Sequence, residues 1–347
     1  MAGKPAREVD MVTLKQIAET VGVSQATVSR VLNYDASLSV SALVRQQIIE
    51  TAEALNYATP RARAGRSVRP AARQRMAFYH FLSLDQELAD PYYVALRLGI
   101  ERRAAALGYP LEKIYAEVAA HPETLAKLGG VIVVGKTPDE TLARIRSAAR
   151  HVVVADWAPI DDSVDAVLCD VPQAMRRLLI QLTGMGYARI GFVGWWDRLP
   201  GGIRTREIRS AAFIDWMSAA GRYDPDLCLI DANSEESGYR LTQMILARPL
   251  RPDCLIVGND TMALGAYRAA AEMGFAIPGD LAVASFNDIS VAQFMAPSLS
   301  TVHLPAEEIG ETAVDMLAER LAGRRITKRS WLATRTVWRQ STRQPVE

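Results

Sequence analysis

The sequence predicts a small all-α helix-turn-helix headpiece followed by a two-lobed α/β body, with parallel sheets and helices on both faces. Three observations predict it. Residues 13–33 hold two short amphipathic stretches arranged around Gly22. From Met76 onward, short β-branched runs alternate with helical stretches. Between these parts, Arg61, Arg63, Arg66, Arg69, Arg73 and Arg75 follow one another with no acid in residues 60–75.

Each element has its own justification. Residues 1–11 read as a flexible arm and 12–59 as the headpiece. Thr13 suits the cap of a first helix, and Gln16 three positions on completes a capping box. Leu14, Ile17, Ala18 and Val21 fall on one helical face. Gly22 supplies the permissive backbone of a tight corner. Ser24 is placed to cap a second helix with Val28, Val31 and Leu32 inward. Its other face is Gln25, Ala26, Thr27, Ser29, Arg30 and Asn33, uncharged apart from Arg30. Amides, hydroxyls and one arginine suit base edges and phosphates in a major groove. An ordinary helical hairpin is the alternative. A third helix turns Val44, Ile48, Ala52 and Leu55 inward. Residues 60–75 read as a basic hinge, either a solvated linker or a segment lying on DNA phosphates or in the minor groove.

In the body, residues 76–347, strands are expected at Met76–Leu82, Val131–Val134, Val152–Ala155, Ala166–Cys169, Ile190–Val193, Leu227–Ile230, Cys254–Val257 and Leu281–Phe286. Helices are expected at Pro91–Leu107, Pro172–Met185, Arg206–Ala220 and Thr261–Met273. Such alternation argues for parallel sheets covered by helices. About ten strands are too many for one comfortable open sheet, so two lobes are expected.

Composition bounds the function. The 347 residues carry a net charge of +1, unevenly spread. Residues 1–75 hold 11 Lys and Arg against 6 Asp and Glu, a net +5, which leaves −4 for the rest. A basic segment on a mildly acidic body suits a nucleic-acid reader with a separate sensing domain. Cys169, Cys228 and Cys254 lie far apart in apolar runs and read as buried thiols in a reducing compartment. No apolar stretch approaches the ~20 residues of a membrane span. The N-terminal residues lack a signal peptide's apolar core. A cytoplasmic protein is expected.

Gly130-Val131-Ile132-Val133-Val134-Gly135-Lys136-Thr137 fits the phosphate-loop pattern literally. Its β-branched middle instead reads as a buried strand, since such residues resist the positive φ that an anion-binding loop requires. Lys136 and Thr137 would then stand at a strand's carboxyl end, where open α/β sheets place ligands. His80, His121, His151 and His303 show no metal spacing, and no nucleophile elbow or dinucleotide fingerprint occurs. Neither a cofactor nor an enzyme is expected.

Val12-Thr13-Leu14, Ile17-Ala18, Gly22-Val23-Ser24 and Thr27 through Asn33 resemble the DNA-binding headpiece of the LacI/GalR family of bacterial repressors. Residues 41–57 resemble its third helix, ending in Leu55-Asn56-Tyr57. Later segments match too, so the resemblance covers nearly the whole chain. It implies a body like a periplasmic sugar-binding protein, with an N-lobe of about 76–156 and 290–325 and a C-lobe of about 157–289 and 326–345. It implies a homodimer on a pseudo-palindromic operator in double-stranded DNA, with DNA contacts from Thr13, Ser24, Gln25, Ala26, Thr27, Ser29, Arg30, Asn33, Tyr57, Arg61, Arg63 and Arg66. Where the family hinge carries an intercalating leucine, this chain has Arg61-Ala62-Arg63-Ala64-Gly65-Arg66. Arginine contacts to a narrow minor groove are a substitute.

Strand ends and the resemblance together place a small-molecule effector near Tyr92, Lys136, Trp157, Trp195, Arg209, Asn259, Asn287 and Asp288. Trp157 and Trp195 would stack on a sugar ring or belong to the core. Asn233 stands where many sugar-responsive relatives have an aromatic. Within the family the likeness is greatest to a repressor of a β-galactosidase operon, on Asn33 through Leu38, Gln86-Glu87-Leu88, Val134-Gly135-Lys136 and Asn287-Asp288-Ile289. This implies a saccharide inducer, a β-galactoside or similar. A regulator activated by a non-sugar corepressor such as a purine is the alternative, and a sugar-active enzyme with an appended headpiece is the rival class.

Overall fold

The computed structural model describes residues 13–32, 40–54, 74–116, 122–198 and 204–344. The chain divides into two units, Met1–Ala72 and Arg73–Glu347.

In the first unit, helices α1 (Leu14–Val21), α2 (Gln25–Leu32) and α3 (Ala42–Ala54) surround Ile17, Ala18, Val28, Val31, Ile48 and Ala52. The capping box forms: the Gln16 backbone N–H donates to Thr13 Oγ1 at 3.4 Å, and the Thr13 N–H donates to Gln16 Oε1 at 2.6 Å. Gly22 closes α1 at φ +74°, a backbone conformation that costs a Cβ-bearing residue more. Ser24 Oγ accepts the Thr27 N–H at 3.1 Å and so caps α2.

The second unit begins with β1 (Met76–His80), α4 (Leu84–Leu88), α5 (Pro91–Leu107), β2 (Leu111–Tyr115), α6 (Pro122–Leu125), β3 (Gly130–Val134), α7 (Asp139–Ala148), β4 (Val152–Ala155) and β5 (Asp165–Cys169). It continues through α8 (Val171–Gly184), β6 (Ile190–Arg198), β7 (Arg204–Arg206), α9 (Ile208–Ala219), β8 (Cys228–Asp231), α10 (Glu235–Leu246), β9 (Cys254–Val257), α11 (Asp260–Glu272), β10 (Ala282–Asn287) and β11 (Ser300–His303). It ends with α12 (Ala306–Leu321), β12 (Arg329–Leu332) and β13 (Arg335–Val337).

Two sheets result. The first runs β12-β5-β4-β3-β1-β2 and is parallel throughout. The second runs β13-β11-β10-β9-β6-β7, with β8 also on β6; its β13 and β7 pair antiparallel. Both faces of the first sheet are buried. Phe78, Ile132, Val134, Val153 and Val167 enter one cluster, while Ala77, Tyr79, Val131, Val133 and Val154 enter another. Continuous apolar runs such as Val131–Val134 follow from this, because alternate side chains meet different helix layers.

The lobe boundaries differ from those drawn on the sequence. β5 pairs with β4 and β12 with β5, so both belong to the first lobe. β11 pairs with β10 and belongs to the second, while α12 packs on β3, β4 and β5 of the first. The chain therefore crosses between β5 and α8, between β11 and α12, and between β12 and β13. Sheet pairing assigns these strands, and pairing partners distant in sequence leave no mark on local pattern.

Each lobe contains one helix pair in backbone contact. A Cβ at Gly99 of α5 would stand 2.1 Å from the Glu307 carbonyl oxygen of α12, and one at Gly310 2.2 Å from that of Leu96. In the second lobe a Cβ at Gly238 of α10 would meet the Met262 oxygen at 2.1 Å, and one at Gly265 of α11 the Glu235 oxygen at 1.9 Å.

Candidate functional site

Two surfaces draw on the predicted residues. The first is the outer face of α2. Gln25, Ala26 and Arg30 are exposed there, and Ser29 is half-buried. Ser24 and Thr27 are partly committed to structure: Ser24 Oγ caps the helix and lies 2.9 Å from Thr27 Oγ1, and Thr27 is half-buried. Thr13 is exposed and caps α1. Asn33, Tyr57, Arg61, Arg63 and Arg66, and the hinge that carries the arginines, lie outside the described residues.

The second surface lies where the carboxyl ends of the two parallel sheets come together. From the first lobe, Asp90 caps α5 by accepting the Tyr92 N–H at 3.0 Å. Tyr92 and Tyr93 turn their hydroxyls onto one carboxylate, donating to Asp156 Oδ1 at 2.6 Å and Oδ2 at 3.1 Å. Asp156 directly follows β4 in the left-handed region, φ +66°. Burial raises its pKa to about 6, against the lowering effect of the two tyrosines and Arg209. Lys136, just past β3, reaches Asp197 of β6 at 2.9 Å and so links the lobes.

From the second lobe, Glu207 caps α9 and holds Arg209. Its Oε2 accepts the Arg209 backbone N–H at 2.8 Å and its Oε1 the Nη1–H at 2.6 Å. Both side chains are nearly sealed, 11% and 6% exposed. Burial pushes the Glu207 pKa up, and Arg209 opposes it. The Arg209 guanidinium lies 5.2 Å from the Trp195 ring and 5.4 Å from that of Phe286, distances at which a cation is attracted to a ring face. Its Nη2 donates to Asn287 Oδ1 at 3.4 Å, and its buried Nε has no partner among the described residues. Asn259 caps α11 through Oδ1, at 2.8 Å from the Met262 N–H, and donates Nδ2–H to Asn233 Oδ1 at 2.7 Å.

The structure thus gathers Tyr92, Trp195, Arg209 and Asn287 by direct contact or through Asp156. Asn259 stands on the same sheet edge, joined to Asn233. Three predicted residues have other partners. Trp157 packs against the cluster containing Val133, Val154 and Val164. Lys136 is engaged by Asp197. Asp288, at φ +59°, is engaged by Arg339 at 2.7 Å and His303 at 3.1 Å; burial works against its charge, but these two partners hold its pKa below the ordinary value. Sequence reasoning missed Tyr93, Asp156 and Glu207 as site members. Asp156 had a signal, since it directly follows β4, much as Asn259 stands just past β9 and Asn287 ends β10. Glu207 had only its position before a helix.

The literal phosphate-loop match is β3, buried from Gly130 to Val134. Cys169 and Cys254 are buried and Cys228 half-buried, all as free thiols. No described helix is long and apolar enough to cross a membrane.

Comparison with known proteins agrees with this architecture. Residues 13–60 match the model for bacterial regulatory proteins of the lacI family, and residues 180–342 that for a periplasmic binding protein-like domain. The chain is 37% identical over 314 residues to the HTH-type transcriptional regulator GalR of Lacticaseibacillus casei, covering 90% of this chain and 93% of that protein. It is 52% identical over 110 residues to a lactose operon repressor of Rhizobium radiobacter, covering 32% of this chain and 97% of that sequence. The crystal structure of the lac repressor dimer bound to operator and an anti-inducer superposes with a TM-score of 0.65 at 23% identity, covering 96% of this chain and 99% of that one. A headpiece and a two-lobed body of this kind, shared with regulators along nearly their whole length, place the chain in the lacI family of bacterial regulatory proteins, whose members are transcription regulators and not enzymes.

Proposed function

We propose that this protein is the homodimeric repressor of a sugar-utilisation operon, bound to a pseudo-palindromic operator and released by a small saccharide, a β-galactoside or a close relative. The headpiece spans 12–59 and the basic hinge 60–75. Gln25 and Ala26 open the recognition helix and select bases; Arg30 holds a base or phosphate, and Thr13, Ser24, Thr27 and Ser29 add contacts. Asn33, Tyr57, Arg61, Arg63 and Arg66 supply further contacts to the backbone or minor groove.

One observation carries the sugar reading. Arg209 is fixed by Glu207, stacked near Trp195 and within reach of Asn287, while Asp156 and its tyrosines lie across from it on the other lobe. A saccharide offers a ring of hydroxyls and an apolar face, and such a ligand needs donors, acceptors and an aromatic fixed on rigid elements. The relative named a lactose operon repressor supports the galactoside class. Ligand bound between the lobes favours one lobe arrangement, and reciprocity requires operator and inducer to weaken each other equally.

The test is operator release, followed by fluorescence anisotropy against inducer concentration. Arg209→Lys keeps the charge opposite Glu207 and loses the planar fork. It retains operator affinity and needs at least tenfold more galactoside for release, about the loss of one charge-assisted hydrogen bond. Release at the wild-type concentration defeats the assignment.

A further inference from the structure

At the opposite edge of the first sheet, where β4 and β5 begin, Arg146, Arg150, His151, Ser163 and Arg320 line a cavity of about 160 Å³. We propose that this recess binds a tetrahedral oxyanion, the phosphoryl group of a small metabolite or inorganic phosphate. The site shares no residue with the effector surface and does not depend on the sugar reading.

The charge count favours an anion. Asp165, fully buried, is shared by two guanidinium groups: Arg320 Nε and Arg324 Nη2 both approach its Oδ2 at 2.7 Å. Arg324 also pairs with Glu319 at 2.8 Å, and Lys328 reaches the same carboxylate at 3.2 Å. Three cations thus share two carboxylates, which leaves one positive charge uncompensated. Arg146 pairs with Asp161 at 2.5 Å and with Ser163 Oγ at 2.5 Å. Arg150 is exposed and pairs with no described carboxylate. The field is felt by His151, whose pKa is lowered first by burial and then by Arg150 and Arg320, against the raising effect of Asp165.

The chemistry and size agree. Arginine forks match the oxygen edges of phosphate, and charge-assisted pairs of this kind are shorter and stronger than neutral ones. The cavity holds about five water volumes, room for a phosphoryl group and a few atoms of its carrier. Its position gives it a use. β4 neighbours β3, and β3 neighbours β1, so the recess opens two strands from Met76, where the chain enters the body from the hinge. The Val131 N–H donates to the His151 carbonyl at 2.9 Å, tying the recess floor to β3.

The experiment titrates the full-length protein with inorganic phosphate and with a hexose monophosphate, following thermal unfolding and the His151 imidazole resonances. Chloride at matched ionic strength and the unphosphorylated hexose are controls. Phosphate and the phosphomonoester raise the melting temperature and move the His151 resonances. Arg146→Gln with Arg150→Gln weakens both responses at least about tenfold, while the melting temperature without anion stays near wild type. A monoester response much larger than that of phosphate assigns the source to a metabolite; equal responses assign it to free phosphate. No response beyond chloride, a response undiminished in the double variant, or a response to duplex DNA alone overturns the proposal.

Discussion

The two lobes share a construction and differ in their chemistry. Both are sheets with a parallel core clad in helices, and both lock one helix pair by glycines in backbone contact: Gly99 with Gly310, and Gly238 with Gly265. Their carboxyl edges then diverge. The first lobe presents acids and phenols, with Asp90, Asp156, Tyr92 and Tyr93. The second presents a fixed guanidinium, amides and indole, with Arg209, Asn259, Asn287 and Trp195. Folding demands similar packing from both lobes. A ligand held between them would demand complementary groups from each, so the edges are where the two lobes can differ.

The largest effect should come from breaking the shared construction. Gly265→Ala puts a methyl group on the Glu235 carbonyl, and Gly310→Ala on that of Leu96. Such overpacking costs about 1–3 kcal/mol, lowering the melting temperature by roughly 2–4 °C per kcal/mol. Gly184→Ala near the end of α8 meets nothing within 4 Å and should be neutral or stabilising by about 0.5–1 kcal/mol. Calorimetry on the three variants decides whether both helix pairs are equally intolerant; a silent Gly265→Ala would mean that the second lobe is built more loosely.

A middle-sized effect separates the lobes by their buried acids. Asp156 in the first and Asp260 in the second both have pKa values raised by burial from 3.8 to about 6. Between those values the folded protein holds protons that the unfolded chain has released, so stability falls as pH rises from about 4 through 6. The favourable contribution is complete below the unfolded value and gone above the folded one. Asp156→Asn removes the first-lobe share and flattens the profile between pH 4 and 7. The slope that remains belongs to Asp260, held by Thr301 Oγ1 at 2.7 Å and the Ile289 N–H at 2.8 Å, together with Asp90 and Glu207, whose pKa values burial also raises. Melting curves across that range check it; an unaltered slope in Asp156→Asn would place the proton elsewhere.

The smallest effect tests the link between lobes. Lys136 and Asp197 are 40% and 23% exposed, so Lys136→Met should cost only about 0.2–1 kcal/mol in low salt and less in high salt. Denaturant titration at two ionic strengths measures it. A larger, salt-independent loss would show the pair to be a structural clasp.

Legibility followed the range of the interactions. In the headpiece, Thr13, Gln16, Gly22 and Ser24 act on neighbours within four residues, and each does structurally what its spacing predicts. Pro91–Leu107 begins and ends as expected because Asp90-Pro91 caps it and Gly108, at φ +71°, stops it. Trp157 shows the limit. In the sequence it follows a β-rich run just as Trp195 does, yet it joins an apolar cluster while Trp195, inside β6, lies beside Arg209. Side-chain alternation at a strand end sends neighbours to opposite faces, and only packing reveals which face meets the other lobe.

By itself the sequence determined the headpiece, the alternating body and the strand ends that bear polar groups, because caps, glycine corners and hydrophobic period are local properties of the chain. The tertiary structure alone decided that β5 and β12 share a sheet across more than a hundred intervening residues. It alone set two tyrosines on Asp156, gave Arg209 to Glu207 and tied Asp288 to Arg339 and His303. Those pairings depend on distances between segments remote in sequence, and on desolvation that exists only once the lobes have packed.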